Sequence, residues 1–247
     1  MSALKPAPNA GSIRFTPLVL RIYDWYVIRV SAPWVWRCST EKYLLPFFKE
    51  NFSKRHLDIG VGNGYFPITS LSSIQASSGE RDQHITLVDL SQHSLDSAKQ
   101  RILSFHPKVD VRAVLADAVK PMPGPLQGEV FDSASQYLLL HHMPGPTAHK
   151  AQAFRVAKQH LSDNGVLFGA TVLGKVWEKA EKGYKVKADK MSGLSSFALG
   201  FYNKRGIFDN YGEDPGVFED VLKSEFEEVE THIVGMIFFF KAKRPRR

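Results

Sequence analysis

The sequence His56-Leu57-Asp58-Ile59-Gly60-Val61-Gly62-Asn63-Gly64-Tyr65-Phe66 decides the fold of this 247-residue chain. Its first four residues predict a short strand, and the three glycines predict a tight turn that leads into a helix. Glycine adopts positive φ and, having no Cβ, lets a ligand approach the backbone closely. Because the first turn of a helix presents unpaired N–H groups, such a turn can bind the oxygen atoms of a ligand. We therefore expect a ligand site at this junction of strand and helix.

Strands and helices alternate along the rest of the chain. Further strands are expected over residues 84–89, 109–115, 130–135, 166–172, 229–234 and 236–243. Alternation of this kind indicates a mostly parallel sheet with helices on both faces. Only Gly235 separates the last two strands, which suggests that one of them runs antiparallel. We predict an α/β fold with a Rossmann-like, seven-stranded, mostly parallel sheet, a C-terminal antiparallel strand and an N-terminal helical cap.

We treat residues 1–247 as a single domain, because neither an internal repeat nor a linker divides the chain. Helices are expected in the cap over 18–30 and over 42–52, the second capped by residues 39–41. The charged stretch 175–190 is expected to be a solvated helical insertion. The domain comprises the cap (1–53), a core (54–174), an insertion or lid (175–211), a C-terminal helix and strand pair (212–243) and a basic tail (244–247).

The composition excludes several classes of protein. Five of the seven net positive charges lie in the last seven residues, so the rest is close to neutral and no nucleic-acid partner is expected. We interpret that basic end as a disordered, solubilising tail. The longest uncharged apolar run, 233–240, is too short to span a membrane, and the N-terminus lacks the pattern of a secretory signal. A single cysteine, Cys38, favours a reducing compartment, so a cytoplasmic location is expected. No residue spacing suggests a metal site.

The spacing of the glycines narrows the choice of ligand. A dinucleotide-binding turn has the pattern G-x-G-x-x-G, whereas here the third glycine comes one residue early and Asp58 precedes the first. A P-loop is excluded because no Gly-Lys-Ser/Thr follows. The order Asp58-x-Gly60-x-Gly62-x-Gly64 resembles motif I of the class I S-adenosylmethionine (SAM)-dependent methyltransferases.

The resemblance extends over residues 54–243. It implies that Asp89 holds the ribose hydroxyls of SAM, although a helix-capping role for Asp89 is a real alternative. It also implies that Asp117-Ala118 lies beside the adenine, and that the Phe131-Asp132 pair with Tyr137 corresponds to motif IV. The cofactor would then be SAM, with binding roles for Asp58, Gly60, Gly62, Gly64, Asp89, Leu90, Asp117, Ala118 and Gln136.

A narrower resemblance concerns a small group of microbial class I enzymes of secondary metabolism. It is carried by the segments YDWYV, HLDIGVGNGYF, LLLHHMPG, GVLFGATVLG and FYNKRGIFDN. The usual GTGYF and HCLPG of that group are GNGYF and HHMPG here, and the second change affects the side that faces the acceptor. Related members are expected to cyclise SAM to azetidine-2-carboxylate, with release of methylthioadenosine.

Methyl transfer requires the protein chiefly to position its two substrates, and a general base only if the acceptor must lose a proton. His141 and His142 follow the fourth core strand, and one of them is a candidate base. A structural hydrogen bond is an equally good interpretation of each histidine alone. Tyr137 is expected to touch SAM or the acceptor. Candidate acceptor-binding residues are Tyr23, Tyr26, Trp34, Tyr202 and Asn203.

Three functions are compatible with these features. The first is a SAM-dependent methyltransferase that acts on a small-molecule acceptor. The second is a SAM cyclase, which would need SAM alone. The third is a non-catalytic SAM-binding protein, against which the intact Asp58, Asp89 and glycine turn argue. The sequence leaves the oligomeric state open.

Overall fold

A computed structural model describes residues 31–79, 82–187 and 191–247. The helix predicted over 18–30 lies outside these residues. Within them, the chain forms a seven-stranded sheet of order β3-β2-β1-β4-β5-β9-β8 and a separate two-stranded hairpin, β6-β7. The strands are β1 (Arg55–Ile59), β2 (His84–Asp89), β3 (Asp110–Leu115), β4 (Phe131–Tyr137), β5 (Leu161–Val172), β6 (Trp177–Lys179), β7 (Tyr184–Val186), β8 (Phe226–Val234) and β9 (Ile237–Pro245).

The predicted mixture of parallel and antiparallel pairing is confirmed. Strands β1 to β5 pair in parallel, and β9 runs antiparallel to β5 and to β8. The turn between β8 and β9 depends on Gly235, which has φ of 61° and whose missing Cβ would lie 2.3 Å from the Trp36 carbonyl oxygen. Any larger residue would therefore push this turn away from the segment that precedes the first core strand.

Helices cover both faces of the sheet. They are α1 (Leu45–Asn51), α2 (Tyr65–Ser78), α3 (Gln92–Phe105), α4 (Thr147–Lys150), α5 (Gln152–Lys158), α6 (Gly193–Lys204) and α7 (Pro215–Glu225). A π-helical turn, Thr40–Leu44, leads into α1, and the predicted cap is confirmed because Ser39 Oγ accepts from Lys42 N–H. Ser91 caps α3 in the same way. Each face of the sheet carries its own apolar cluster, one around Phe48 and Phe168 and the other around Phe154 and Phe218.

The insertion at 175–190 is not helical as predicted. Residues 177–186 form the β6-β7 hairpin, whose turn contains Gly183 with φ of 70°. The Tyr184 hydroxyl bonds to Glu219 on α7 and lies 2.7 Å from Thr231 Oγ1 on β8. These contacts with the rest of the domain outweigh the helix propensity of the charged residues, which is worth only tenths of a kcal/mol each.

The disordered basic tail is also a wrong prediction. Strand β9 extends to Pro245, and three cations of this C-terminal end are paired with acidic residues of neighbouring elements. Lys241 lies 2.8 Å from Glu50, Arg244 lies 3.1 Å from Glu228, and Arg247 lies 2.9 Å from Asp163. Sequence order alone does not reveal these acids, because they are 16 to more than 190 positions away.

Among the described residues, none of the helices combines the length and the apolar character that crossing a membrane requires.

Candidate active site

A cavity of about 620 Å³ opens at the carboxyl ends of β1, β2 and β4, where ligands bind in open parallel sheets. The cap segment from Ser31 to Phe48 forms its roof. Within the described chain the cavity brings together eight of the residues predicted from sequence: Asp58, Gly60, Gly62, Asp89, Tyr137, His141, His142 and Tyr202.

The three glycines of the turn have different structural tasks. All have positive φ: 81° at Gly60, 51° at Gly62 and 74° at Gly64. A Cβ on Gly60 would lie 2.7 Å from Leu139 Cδ1, so Gly60 permits close packing. A Cβ on Gly64 would lie 3.3 Å from Ile102, and Gly64 does not line the cavity. Gly62 lines the cavity, and no described heavy atom lies within 4 Å of where its Cβ would be.

Asp58 is a buried carboxylate at the end of β1. Ser135 Oγ donates to its Oδ1 at 2.5 Å, and His56 Nε2 lies 3.0 Å from the same hydroxyl. Burial raises the pKa of Asp58 to about 6; the Ser135 hydrogen bond opposes this rise and the nearby Asp89 charge adds to it. A cationic ligand in the cavity would therefore stabilise the charged form of this carboxylate.

Asp89 presents the second carboxylate of the cavity. Its Oδ1 accepts from Ser91 N–H at 2.8 Å. Burial raises the pKa of Asp89, and hydrogen bonds from the backbone N–H groups of Ser91, Val61 and Leu90 oppose that rise. The capping alternative does not hold, because Ser91 Oγ caps α3 by accepting from Ser94 N–H. Asp89 lines the cavity, and its role at the ribose stays a prediction.

Four residues predicted to bind the cofactor lie away from the cavity lining, in addition to Gly64. The predicted cofactor contact of Gln136 is wrong. Gln136 precedes Tyr137 on β4, so its side chain points to the opposite face of the sheet, where it donates to the Ala153 carbonyl at 2.7 Å. Leu90 is 72% exposed. Asp117 accepts from Val119 N–H at 3.1 Å and pairs with Lys120, while Ala118 is buried in the apolar cluster around Phe154. The roles of Leu90, Asp117 and Ala118 stay predictions.

Tyr137 forms the floor of the cavity. Its hydroxyl donates to the Leu44 carbonyl at 2.6 Å, which joins β4 to the roof. Burial raises the pKa of Tyr137 well above its usual value. The side chain therefore stays protonated, and a role in proton transfer is not supported.

The predicted acceptor residues divide into three groups. Tyr202 lines the cavity, whereas Tyr23 and Tyr26 lie outside the described residues. The predicted acceptor contact of Trp34 is wrong, because this side chain is 71% exposed. Trp36, two positions later, is buried and lines the cavity instead. Asn203 is also a correction, since its side chain binds the Leu199 carbonyl and Asn210 and so holds the loop after α6.

The cavity also contains apolar residues that sequence reasoning missed. Phe208 packs on Tyr202 with ring centroids 4.8 Å apart and on Trp36 at 5.8 Å. Phe208 lies in the quoted segment FYNKRGIFDN, so the signal was present, but nothing in its spacing indicated which residue faces a ligand. Other lining residues that the sequence did not indicate include Thr40, Leu44, Phe48, Phe66, Leu138, Leu139 and Ile207.

The two adjacent histidines carry their protons on different nitrogens. His142 Nδ1 lies 2.8 Å from the Ile207 carbonyl oxygen, which can only accept, so Nδ1 holds the proton and Nε2 the lone pair. His141 Nδ1 instead accepts from Val172 N–H at 3.3 Å, which places the proton of neutral His141 on Nε2. Among the described residues no hydrogen bond to His142 Nε2 is found.

The surroundings keep both rings neutral. Burial lowers the pKa of His141 well below its usual value, and the charges of His142 and Lys150 act in the same direction. Burial also lowers the pKa of His142; its hydrogen bond to Ile207 opposes the shift and Lys150 adds to it. His142 is an exposed residue that lines the cavity, whereas His141 is buried. It is therefore the histidine that can accept a proton there.

Among the described residues no group of three or more His, Cys, Asp or Glu side chains is arranged to hold a metal ion. Cys38 is buried and free, and burial raises the pKa of its thiol to about 12, so it is not a nucleophile at neutral pH.

Comparisons with known proteins find methyltransferases. The family described as Methyltransferase domain matches residues 57–167. The Physcion biosynthesis cluster O-methyltransferase of Aspergillus chevalieri is 38% identical over the full length of both chains. O-methyltransferase NEC2 of Pyricularia oryzae is 36% identical over 94% of this chain and 92% of its own. The N-methyltransferase NodS of Bradyrhizobium japonicum, solved with S-adenosylhomocysteine (SAH), shares the fold with a TM-score of 0.52 and 11% identity, covering 82% of this chain and 85% of its own.

Proposed function

The chain belongs to the class I SAM-dependent methyltransferases of the fungal secondary-metabolism type, which act on small molecules, and we propose that it methylates a hydroxyl oxygen of an aromatic acceptor. One observation carries the proposal: His142, whose lone pair is on Nε2, lines a cavity that also has aromatic side chains in its wall. The SAM cyclase and the non-catalytic binder receive no support from the relatives, and we do not propose them.

The residues at the sheet edge suit SAM as the methyl donor. Asp89 would accept from the ribose hydroxyls, and the open backbone at Gly62 would approach the methionine part. Asp58 would stabilise the positive charge of the ligand, and its hydrogen bond from Ser135 fixes the carboxylate in place. When bound, SAM supplies a methyl group activated by a cationic sulfur.

His142 is proposed to act as the general base. The acceptor hydroxyl would give its proton to Nε2 as its oxygen takes the methyl group from the sulfur of SAM, which would leave as SAH, and the positive charge would then rest on the imidazole ring. The Ile207 carbonyl holds Nδ1–H, which keeps the lone pair on Nε2 and stabilises the charged ring. Because the pKa of His142 is lowered, the base is unprotonated at neutral pH. A phenol, whose pKa lies near 10, is a more suitable partner for this base than an aliphatic alcohol.

The shape of the acceptor follows from the walls of the cavity. Trp36, Tyr202 and Phe208 surround it, and their rings favour offset packing with a planar ligand. The names of two relatives as O-methyltransferases support oxygen as the acceptor atom. We further infer a cytoplasmic protein without a nucleic-acid partner, supported by the single buried Cys38 and by the pairing of the C-terminal cations. The partition into cap, core, lid and C-terminal strand pair is part of the same proposal.

The experiment combines the purified protein with SAM and one planar probe at a time. 7-Hydroxycoumarin tests oxygen, 7-aminocoumarin tests nitrogen, and SAM alone is the blank; mass spectrometry identifies the products. We expect SAH and the methyl ether from the phenol. Exclusive N-methylation of the amine, or methylthioadenosine in the blank, would contradict the proposal.

A pair of variants tests the base. His142→Gln should lower kcat by about 100-fold, the lower range of general-base catalysis, while leaving SAH affinity unchanged. His141→Gln is the matched neighbour, and it loses no lone pair at the cavity. An equal loss of kcat in both variants would refute the assignment of His142.

A further inference from the structure

We infer that Lys150 is a positioning residue for the reaction, because its buried ammonium group anchors the loop whose Ile207 carbonyl orients His142. The anchored loop, residues 205–214, connects α6 to α7. The inference rests on the proposed function, since it concerns the base of that reaction.

Lys150 ends α4 and is completely buried. Its Nζ donates to Glu213 Oε1 at 2.6 Å and to the backbone carbonyl of Asp209. The Glu213 side chain is 1% exposed. Both acceptors belong to the anchored loop, so a single ammonium group joins the helix to two points of the loop.

A buried pair of this kind is not required for stability alone. Desolvation of two charges costs several kcal/mol each, and apolar residues of similar size usually stabilise a fold as well or better. The loop has other attachments to the same region: Asp209 N–H donates to the His141 carbonyl at 2.9 Å, and Gly145 N–H donates to Asp209 Oδ2 at 2.8 Å. The contribution that we assign to the ammonium group is to fix where the loop lies relative to His141 and His142.

That position decides the state of His142. Ile207 lies two residues before Asp209, and its carbonyl accepts from His142 Nδ1–H. If the loop moved, Nδ1 would lose this acceptor, and the proton could pass to Nε2, which would remove the lone pair from the cavity. Lys150 therefore acts on the reaction through the loop and without contact with substrate.

The charges around the base have the same consequence. His141 packs on His142 with ring centroids 4.3 Å apart, and Lys150 is the charged group that acts on His142; Asp209 and Glu213 lie around the Lys150 ammonium group. The Lys150 charge lowers the pKa of His142. Burial raises the pKa of Glu213 to about 7, and Lys150 opposes that rise. Without Lys150 the pKa of Glu213 would rise further, and its carboxyl group would be neutral at neutral pH. Loss of the lysine charge itself, which lowers the pKa of His142, would then raise the pKa of His142.

The test follows His142 directly by NMR, so it needs no acceptor. Protein with ¹⁵N-labelled histidine and saturating SAH is titrated, and two-bond ¹H–¹⁵N spectra report the tautomer and the pKa of each ring; His142→Gln identifies the signals. We compare wild type, Lys150→Met and the double variant Lys150→Met/Glu213→Leu, which removes both charges if the single variant does not fold. The matched control is Lys158→Met, because Lys158, the last residue of α5, forms a 2.6 Å pair with Glu225, the last residue of α7, and does not contact the anchored loop.

In wild type and in Lys158→Met we expect His142 in the Nδ1–H form. In the Lys150 variants we expect mixed tautomers, a higher pKa of His142, and kcat/KM for 7-hydroxycoumarin reduced about tenfold with unchanged SAH affinity, a part of the 100-fold or larger effect of a general base. A folded Lys150 variant whose His142 keeps the wild-type tautomer and pKa would overturn the inference and leave the proposed function intact. A wild-type His142 protonated on Nε2 would overturn both.

Discussion

Replacing Asp89 by Asn should weaken SAM binding. Asn keeps the size of the side chain, and its oxygen can still accept from Ser91 N–H, so the turn after β2 is retained. The substitution removes the negative charge and one acceptor position at the cavity. The perturbation is therefore confined to the ligand contact that we assign to the ribose.

The size of the effect follows from the environment of the carboxylate. In the free protein Asp89 Oδ1 is bound by Ser91 N–H, and burial penalises the charge, so a ligand that donates hydrogen bonds relieves a partly desolvated anion. A hydrogen bond to a charged group contributes about 1.5–3 kcal/mol. Loss of one such bond corresponds to an increase in Kd of about 10- to 150-fold.

Isothermal titration calorimetry with SAH provides the measurement, because SAH binds without reacting. The control is Asp110→Asn. Asp110 is the first residue of β3, so it lies at the amino ends of the parallel strands, away from the cavity, and it pairs with His84 at 2.6 Å. The control should bind SAH within about twofold of wild type, since its carboxylate is far from the ligand site. A folded Asp89→Asn protein with wild-type affinity would refute the ribose assignment.

Three further predictions concern the same cavity. Burial raises the pKa of Asp58 to about 6, so the charged carboxylate destabilises the fold increasingly as the pH rises from about 4 to about 6. Asp58→Asn should therefore raise the free energy of unfolding in urea by about 1–3 kcal/mol at neutral pH and leave it unchanged below about pH 4. An equal gain at both pH values would contradict this. Gly62→Ala should raise the Kd for SAH at least tenfold, since its Cβ would enter open cavity. Gly64→Ala should mainly lower stability, by about 1–2 kcal/mol, because its Cβ would meet a neighbouring helix. Calorimetry and urea denaturation would contradict this if the two effects were exchanged between the variants. Trp36→Leu should raise the KM for 7-hydroxycoumarin several-fold and the exposed Trp34→Leu should not, a contrast that steady-state kinetics would overturn if both behaved alike.

The core of the fold could be predicted because its signals are local. A run such as His84–Asp89 is apolar enough to be a buried strand, and Ser91 has a side chain that caps the following helix. The β6-β7 hairpin could not be predicted, because Tyr184 gains its partners from α7 and β8, which are distant in sequence. The C-terminal cations were misjudged for the same reason.

The candidate site divides along the same line. The sequence by itself determined the class of cofactor, because the glycine turn that follows Asp58 is contiguous and its chemistry depends on a few fixed spacings. It also pointed to Asp89 at the end of β2, which lines the same cavity. Only the tertiary structure showed that Trp36 and not Trp34 is buried at the cavity, and that Gln136 points to the opposite face of the sheet. It alone also showed that His142 and His141 carry their protons on different ring nitrogens. The physical reason is that each of these outcomes depends on which distant backbone group faces a side chain. The Ile207 carbonyl reaches His142 across 65 positions of sequence, and only folding brings the two together.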